Sequence, residues 1–334
     1  MRAMLLRQTA DAGRNPLALE DVPVPEPGRD EVRVRVRVCG VCRTDLHIVE
    51  GDLPAAKRPV VPGHEVVGIV DRVGSRVRTV KEGDRVGIAW LQETCGDCEF
   101  CRNHQENLCL LARFTGYHVN GGYAEYAVAP AAFAYPIPGA FADEEVAPLL
   151  CAGIIGYRAL RLSGVKPGQR LGFYGFGASA HLAIQVARHR GCEVFVCSLR
   201  EEHRALAREL GAVWVGGAAE PPPEQLHGAI LFAPAGELVP PALRALRRGG
   251  TLAIAGIHLS PIPVLDYDHD LFGERTIRSV TANTKQDGLD LLREAAAIPI
   301  RPHTQQFGLE EANAALQALK AGTIRGAGVL KVAS

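Results

Sequence analysis

The chain has 334 residues, 47% of them hydrophobic and 22% charged, enough apolar material for two cores rather than one. Its formal net charge is zero, which removes the electrostatic case for nucleic acid or an anionic membrane surface as a partner. No run approaches the ~20 uninterrupted apolar residues of a membrane-spanning helix, and the N-terminus MRAMLLRQTADAGR is too polar for a secretory signal. Nine cysteines in such a chain suit a reducing, cytoplasmic setting and metal ligation better than disulfides. Only six of the 37 basic residues are lysine, a bias that genome composition and heat adaptation explain equally.

The first part reads as β-rich. EVRVRVRV, Glu31–Val38, alternates strictly, placing Val32, Val34, Val36 and Val38 on one face and the arginines in water, a solvated strand face rather than a basic patch. HEVVGIVDRVG and GDRVGIAW follow as short strands between Gly/Asp turns, which predicts a small β-barrel. From about Gly153 the rhythm changes. LGFYG, VFVCS, AVWVG, AILFA and TLAIAG alternate with the helical stretches HLAIQVARHRG and REEHRALARELGA, a βαβ series that predicts a doubly wound parallel sheet. The Pro221–Pro223 run reads as a turn within it. After about Asn283 the chain returns to the first domain through a helix, GLEEANAALQALKAG, and a last strand. The expected boundaries are 1–152 for the first domain, 153–286 for the second, and 287–334 for the return.

Two cysteine patterns carry the chemistry. Cys95, Cys98, Cys101 and Cys109 form C-x2-C-x2-C-x7-C, a locally complete set of four thiolates that closes a tetrahedral structural zinc site. Such a set also suits an iron–sulfur cluster or a zinc-ribbon docking module, although the proline flanking a ferredoxin's fourth cysteine is missing. Cys42 in CGVCRTDLH, His64 in GHE and Cys151 in APLLCAG form a dispersed trio that leaves one position open, the usual mark of a catalytic zinc. Singly, each has an ordinary reading as a core thiol or a hydrogen-bonded histidine. Cys39 makes a nominal CGVC redox pair with Cys42, but with Cys42 given to zinc it is expected in the core, and Cys192 and Cys197 as buried thiols beside a strand.

The GHE motif, the CGVCRTDLH segment, the four-cysteine lobe and a glycine-rich GFGASA turn, in this order, resemble the zinc-dependent medium-chain alcohol dehydrogenases. The similarity runs from the first strand to the last near Val332 and is greatest to the bacterial, typically tetrameric members. The resemblance implies a chaperonin-10-like β-barrel catalytic domain and a Rossmann domain. It also implies two zinc ions per chain, a small alcohol or aldehyde as substrate, and a homo-oligomer, tetramer or dimer. By the same resemblance Thr44 passes the released proton through the cofactor ribose to His47, Asp45 orients the His64 ring, Glu65 lies behind the metal, and Trp90 and Leu91 wall the substrate pocket. The residues alone also allow a strand-end hydrogen bond for Thr44, an exposed helix position for His47, buried salt bridges for Asp45 and Glu65, and a core position for Trp90. An open-site zinc lowers the pKa of a bound hydroxyl, as it brings that of water down to ~7, and nicotinamide takes the hydride.

Gly175, Phe176, Gly177, Ala178 and Ser179, completed by Ala180, lie between strand RLGFY and a helix, where a pyrophosphate meets a helix N-terminus. Ala180 replaces the third glycine, which mainly sets helix–strand packing. Where NAD-preferring domains carry an acid, VFVCSLR has Ser198, and Arg200 two residues on can pair with a 2′-phosphate or simply be solvated. Glu201 and Glu202 oppose this if they turn inward. The expectation is NADP(H) over NAD(H). In GTIRGAGVLK, Ala327 stands where many relatives carry an arginine, with Arg325 nearby, so the group that neutralises the pyrophosphate is left open. A zinc-dependent alcohol dehydrogenase or aldehyde reductase is expected; a polyol dehydrogenase of the same fold and a non-catalytic redox sensor are the alternatives.

Overall fold

The computed structural model describes residues 1–218, 220–298 and 300–332. A hairpin of β1 (Arg2–Leu6) and β2 (Leu17–Asp21) leads into β3 (Glu31–Val41), the longest strand of the first unit. Val32, Val34 and Val36 are wholly buried and Val38 nearly so, while Arg35 and Arg37 are exposed, as period-two alternation requires. Arg33 departs from the expectation that every arginine faces water. Its side chain is 13% exposed and forks onto Asp71, with Nη2 2.9 Å from Oδ2. It also lies 5.3 Å over the Tyr126 ring. The strand alternation predicts a face but not what the neighbouring strand places opposite it.

The unit continues with α1 (Arg43–Glu50), β4 (Val66–Val73) and β5 (Arg85–Ile88). β6 (Leu91–Glu93) and β7 (Arg113–Phe114) pair antiparallel and bracket the cysteine lobe with its short α2 (Glu99–Arg102). β8 (Tyr126–Pro130), β9 (Ala134–Pro136) and α3 (Asp143–Val146) follow, and the unit's first segment ends at Cys151.

In the second unit α4 (Ala152–Leu162) precedes β10 (Arg170–Tyr174), α5 (Ala178–His189), β11 (Glu193–Cys197), α6 (Glu201–Glu209) and β12 (Trp214–Gly216). Pro221–Pro223 has no regular structure before β13 (Leu226–Leu231), α7 (Val239–Ala245), β14 (Leu246–Ile254) and β15 (Thr276–Ser279). All pairings are parallel, in the order β12-β11-β10-β13-β14-β15. Counted within the unit this is 3-2-1-4-5-6, the doubly wound arrangement whose switch point lies between its first and fourth strands. The inner strands are near-continuous apolar runs because both faces are covered. β15, sequence TIRS, escaped the sequence reading because an edge strand half in water carries no such run.

The chain then rejoins the first unit from Ala282, through α8 (Lys285–Ala297), β16 (Thr304–Gly308), α9 (Ala312–Ala321) and β17 (Ala327–Lys331). β17 pairs with β16 and antiparallel with β3, Leu330 opposite Cys39, giving the order β16-β17-β3-β4-β5-β9, with β8 also on β3. The first unit's core is the valine face of β3 with β1, β4, α1 and α9. Among the described residues no helix is long and apolar enough to cross a membrane.

Val36→Ala is expected to remove about 1–3 kcal/mol of stability and Arg35→Ala less than about 0.5. Urea unfolding of the two variants side by side checks this, and equal losses would contradict the alternation.

Candidate functional site

Where β3 ends, Cys42 adopts an extended conformation and becomes the N-cap of α1. Asp45, in the helix's first turn and wholly buried, accepts the Cys42 backbone N–H at Oδ2, 2.9 Å away. The same oxygen takes the Tyr123 hydroxyl at 3.3 Å, while Oδ1 takes the Gly63 N–H at 3.2 Å and His64 Nδ1 at 2.8 Å. One carboxylate thus ties the start of α1 to the GHE loop. Because Asp45 engages Nδ1, the hydrogen of a neutral His64 sits there and Nε2 is the lone-pair nitrogen. Nε2 is buried and has no hydrogen-bond partner among the described residues.

Cys151, at the end of the turn Ala147–Leu150, places its sulfur 3.6 Å from that of Cys42. One ligand atom each from Cys42, His64, Glu65 and Cys151 lies within 4.8 Å of the others. A hydrogen bond from Cys151, followed by contact with His64, holds the Cys42 thiol well below its ordinary pKa against the cost of burial. Cys151 is driven well up by the same contact with Cys42 and by burial. Burial, then the Cys42 charge, pushes Glu65 well up. For His64 burial works against the charged form, but Asp45 and Cys42 outweigh it and the net direction is upward. Two thiols and two carboxylates are gathered around one imidazole. The charge this cluster lacks is positive, and an orphaned imidazole nitrogen facing two sulfurs is a donor set that fits zinc.

Thr44, in the first turn of α1 and buried, has Oγ1 3.9 Å from Cys42 Sγ. His47 is three residues on along the same helix face, with Nδ1 2.7 Å from Asp52 Oδ2. Trp90 sits edge-on to the His64 ring at 5.1 Å and stacks on Phe114 at 4.8 Å, with Tyr117 at 6.0 Å. Leu91 is wholly buried.

The lobe between β6 and β7 gathers Cys95, Cys98, Cys101 and Cys109 within the same 4.8 Å. Sulfur separations are 3.5 Å for Cys98–Cys101 and Cys95–Cys109 and 3.8 Å for Cys95–Cys101, with no disulfide. The lobe is moored to α8, whose Lys285 N–H donates to Glu106 Oε1 at 2.7 Å. Cys39, Cys192 and Cys197 are buried, and burial raises all three thiols.

In the second unit Gly177 is the N-cap of the twelve-residue α5, directly after β10 at the switch point. A Cβ at Gly175 would meet Ala233 N at 2.8 Å, whereas nothing lies within 4 Å at Gly177, which leaves room for a ligand's close approach. Phe176 is 2% exposed, so its backbone alone can meet one; Ala178 and Ser179 open the helix. Ser198 is buried just past β11, its N–H bonded to Gly216 O. Arg200 is the exposed N-cap of α6. Glu201 is held along the helix by Arg204 at 2.6 Å and Arg208 at 2.8 Å. Arg204 also donates to Ser198 O at 3.2 Å, a neighbour the sequence reading missed although the i,i+3 spacing from Glu201 signalled it. Ala327 is buried at the start of β17, in register with Thr304.

Residues 28–139 match the family model described as an alcohol dehydrogenase GroES-like domain, and residues 180–297 match that of a zinc-binding dehydrogenase. A Mycobacterium tuberculosis protein, described as a probable alcohol dehydrogenase, AdhA, is 51% identical over 99% of this chain and 97% of its own. A crystal structure of an NAD-dependent alcohol dehydrogenase superposes with a TM-score of 0.89 at 28% identity, covering 100% of both chains. A Helicobacter pylori CAD complexed with NADP(H) superposes at 0.87 with 25% identity, covering 99% of each.

The backbone before His64 admits little change. Gly63 has φ +97°, and a Cβ there would fall 2.3 Å from the Tyr123 ring. Gly63→Ala is expected to cost roughly 2–4 kcal/mol and to lower bound zinc per chain, since the His64 ring moves with the loop. Thermal melting and elemental analysis test it; an unchanged variant would contradict the constraint.

Proposed function

This chain belongs to the zinc-dependent medium-chain alcohol dehydrogenases and is an oxidoreductase acting on alcohols with zinc and a nicotinamide cofactor; on that premise we propose that Cys42, His64 and Cys151 hold its catalytic zinc, with Glu65 behind it. The observation that carries this assignment is the buried, partnerless Nε2 of His64, aimed by Asp45 on its far nitrogen at the two sulfurs. A second zinc, of structural role, is proposed for Cys95, Cys98, Cys101 and Cys109. The catalytic domain would comprise 1–152 and 287–334 and the dinucleotide-binding domain 153–286, in a cytoplasmic homo-oligomer of the tetrameric kind.

Bound zinc supplies a Lewis acid that acidifies an alcohol hydroxyl, and bound nicotinamide accepts the hydride. The chain's own residues orient groups and move the proton. Asp45 sets the tautomer of His64 and keeps its ring aimed. Thr44, beside Cys42, accepts a hydrogen bond from the alcohol hydroxyl and releases its own Oγ1 proton as it takes that one, and His47, a turn further along α1, receives a proton on its ring and passes it to solvent. Trp90, beside His64, bounds the space for a small alcohol or aldehyde.

For the cofactor we propose NADP(H) over NAD(H), bound at Gly175–Ser179. Ser198 leaves no carboxylate to repel a 2′-phosphate, Glu201 is engaged by Arg204 and Arg208 rather than turned toward Ser198, and Arg200 caps α6.

Cys151→Ala is expected to lose one zinc per chain and at least about 10³-fold in turnover, while Cys98→Ser loses the other zinc and chiefly heat stability. Elemental analysis with steady-state kinetics decides, and the reverse pattern would show the two sites exchanged. For the cofactor, kcat/KM is expected to favour NADP(H), and Ser198→Asp to move the ratio toward NAD(H) by about tenfold or more. A wild-type preference for NAD(H) refutes that reading.

A further inference from the structure

We propose that Asp52 is a positioning residue for proton transfer: it holds His47 in the tautomer with hydrogen on Nδ1 and thereby assigns proton uptake to Nε2. This rests on the reading above that His47 receives the proton.

The contact is built by the way α1 stops. Gly51, at φ +88°, caps the helix in the left-handed conformation, its N–H bonding His47 O at 3.1 Å, and Leu53 N–H returns to the same oxygen at 3.3 Å. The chain doubles back over its last turn, which sets Asp52 against a ring five residues earlier rather than out along the helix axis. Oδ2 reaches Nδ1 at 2.7 Å, the length of a charge-assisted bond. An ionised carboxylate only accepts, so the hydrogen between them belongs to Nδ1, and the neutral ring's lone pair is then on Nε2.

Two consequences follow for the reaction. During alcohol oxidation an N–H bond forms at Nε2 as the donor O–H breaks, and the resulting imidazolium is already paired with a carboxylate. The His47 side chain is 18% exposed and that of Asp52 59%, so the pair opens to water. Passing the Nε2 proton to water or a buffer base restores the starting tautomer. Exposure also limits what the pair can add to folding, as surface ion pairs contribute little. The value of the contact lies in orientation and tautomer, the role a carboxylate plays behind a catalytic imidazole.

The test is Asp52→Asn, which keeps the volume but offers an amide N–H to Nδ1 and so favours hydrogen on Nε2. The single-turnover rate of nicotinamide reduction by an alcohol is expected to fall about tenfold. Zinc per chain, dinucleotide Kd and melting temperature should stay at wild-type values, and Asp52→Glu should recover part of the rate. In ¹⁵N-histidine spectra of the zinc-loaded protein, the His47 signals, assigned by their loss in His47→Gln, should move from the Nδ1–H to the Nε2–H pattern. A wild-type rate and spectrum in Asp52→Asn, with His47→Gln slow, overturns the positioning role and leaves the relay standing. A wild-type rate in His47→Gln overturns the relay and this proposal with it. Loss of zinc or a lower melting temperature in Asp52→Asn makes the residue structural and also refutes the proposal.

Discussion

A single buried carboxylate organises the first unit's reactive end. Asp45 has no exposure to water and receives four donors, from the Cys42 and Gly63 backbones, His64 and Tyr123. A carboxylate buried without such donors would cost several kcal/mol, so the burial and the hydrogen bonds require one another. Through them the helix start that presents Cys42, the loop that presents His64 and the aromatic ring packed beneath Gly63 are held in one arrangement. The cap of α1 and the aim of the imidazole are therefore a single feature with two readings.

The electrostatics of the two cysteine clusters differ in a way that fits different roles. Around His64 the two acids are buried and the two cysteines half-buried, their charges resist one another, and the arrangement is short of positive charge. In the lobe all four sulfurs come from one short, largely exposed stretch, closed on itself and moored to α8 through Glu106. A dispersed trio can exist only after the fold has formed, whereas a contiguous set of four can bind metal while the chain around it is still ordering.

Legibility followed sequence separation. The valine alternation of β3, the four-cysteine lobe, the glycine turn and the βαβ rhythm all depend on neighbours in the chain, and period and spacing show them directly. The trio Cys42, His64 and Cys151 was named through its motifs, since spacing carries no distance between segments so far apart. Arg33 against Asp71, the full burial of Leu91, Tyr123 beneath Asp45 and the edge strand β15 were not legible. Each depends on which strand lies alongside, a matter of register and packing rather than of local pattern.

By itself the sequence determined the type of the strongly periodic elements, the two kinds of cysteine set and a glycine-rich turn between a strand and a helix, because these rest on local periodicity and on side-chain chemistry that no fold alters. Tertiary structure decided the rest. It set how four donors converge on Asp45, which nitrogen of His64 stays without a partner, that Glu201 runs along α6 to Arg204 and Arg208, and that a left-handed glycine folds Asp52 back onto His47. The physical reason is the range of the interactions. Hydrogen-bond and charge contacts act over about 3–4 Å, a distance that chain connectivity sets within a turn and that only packing sets between segments.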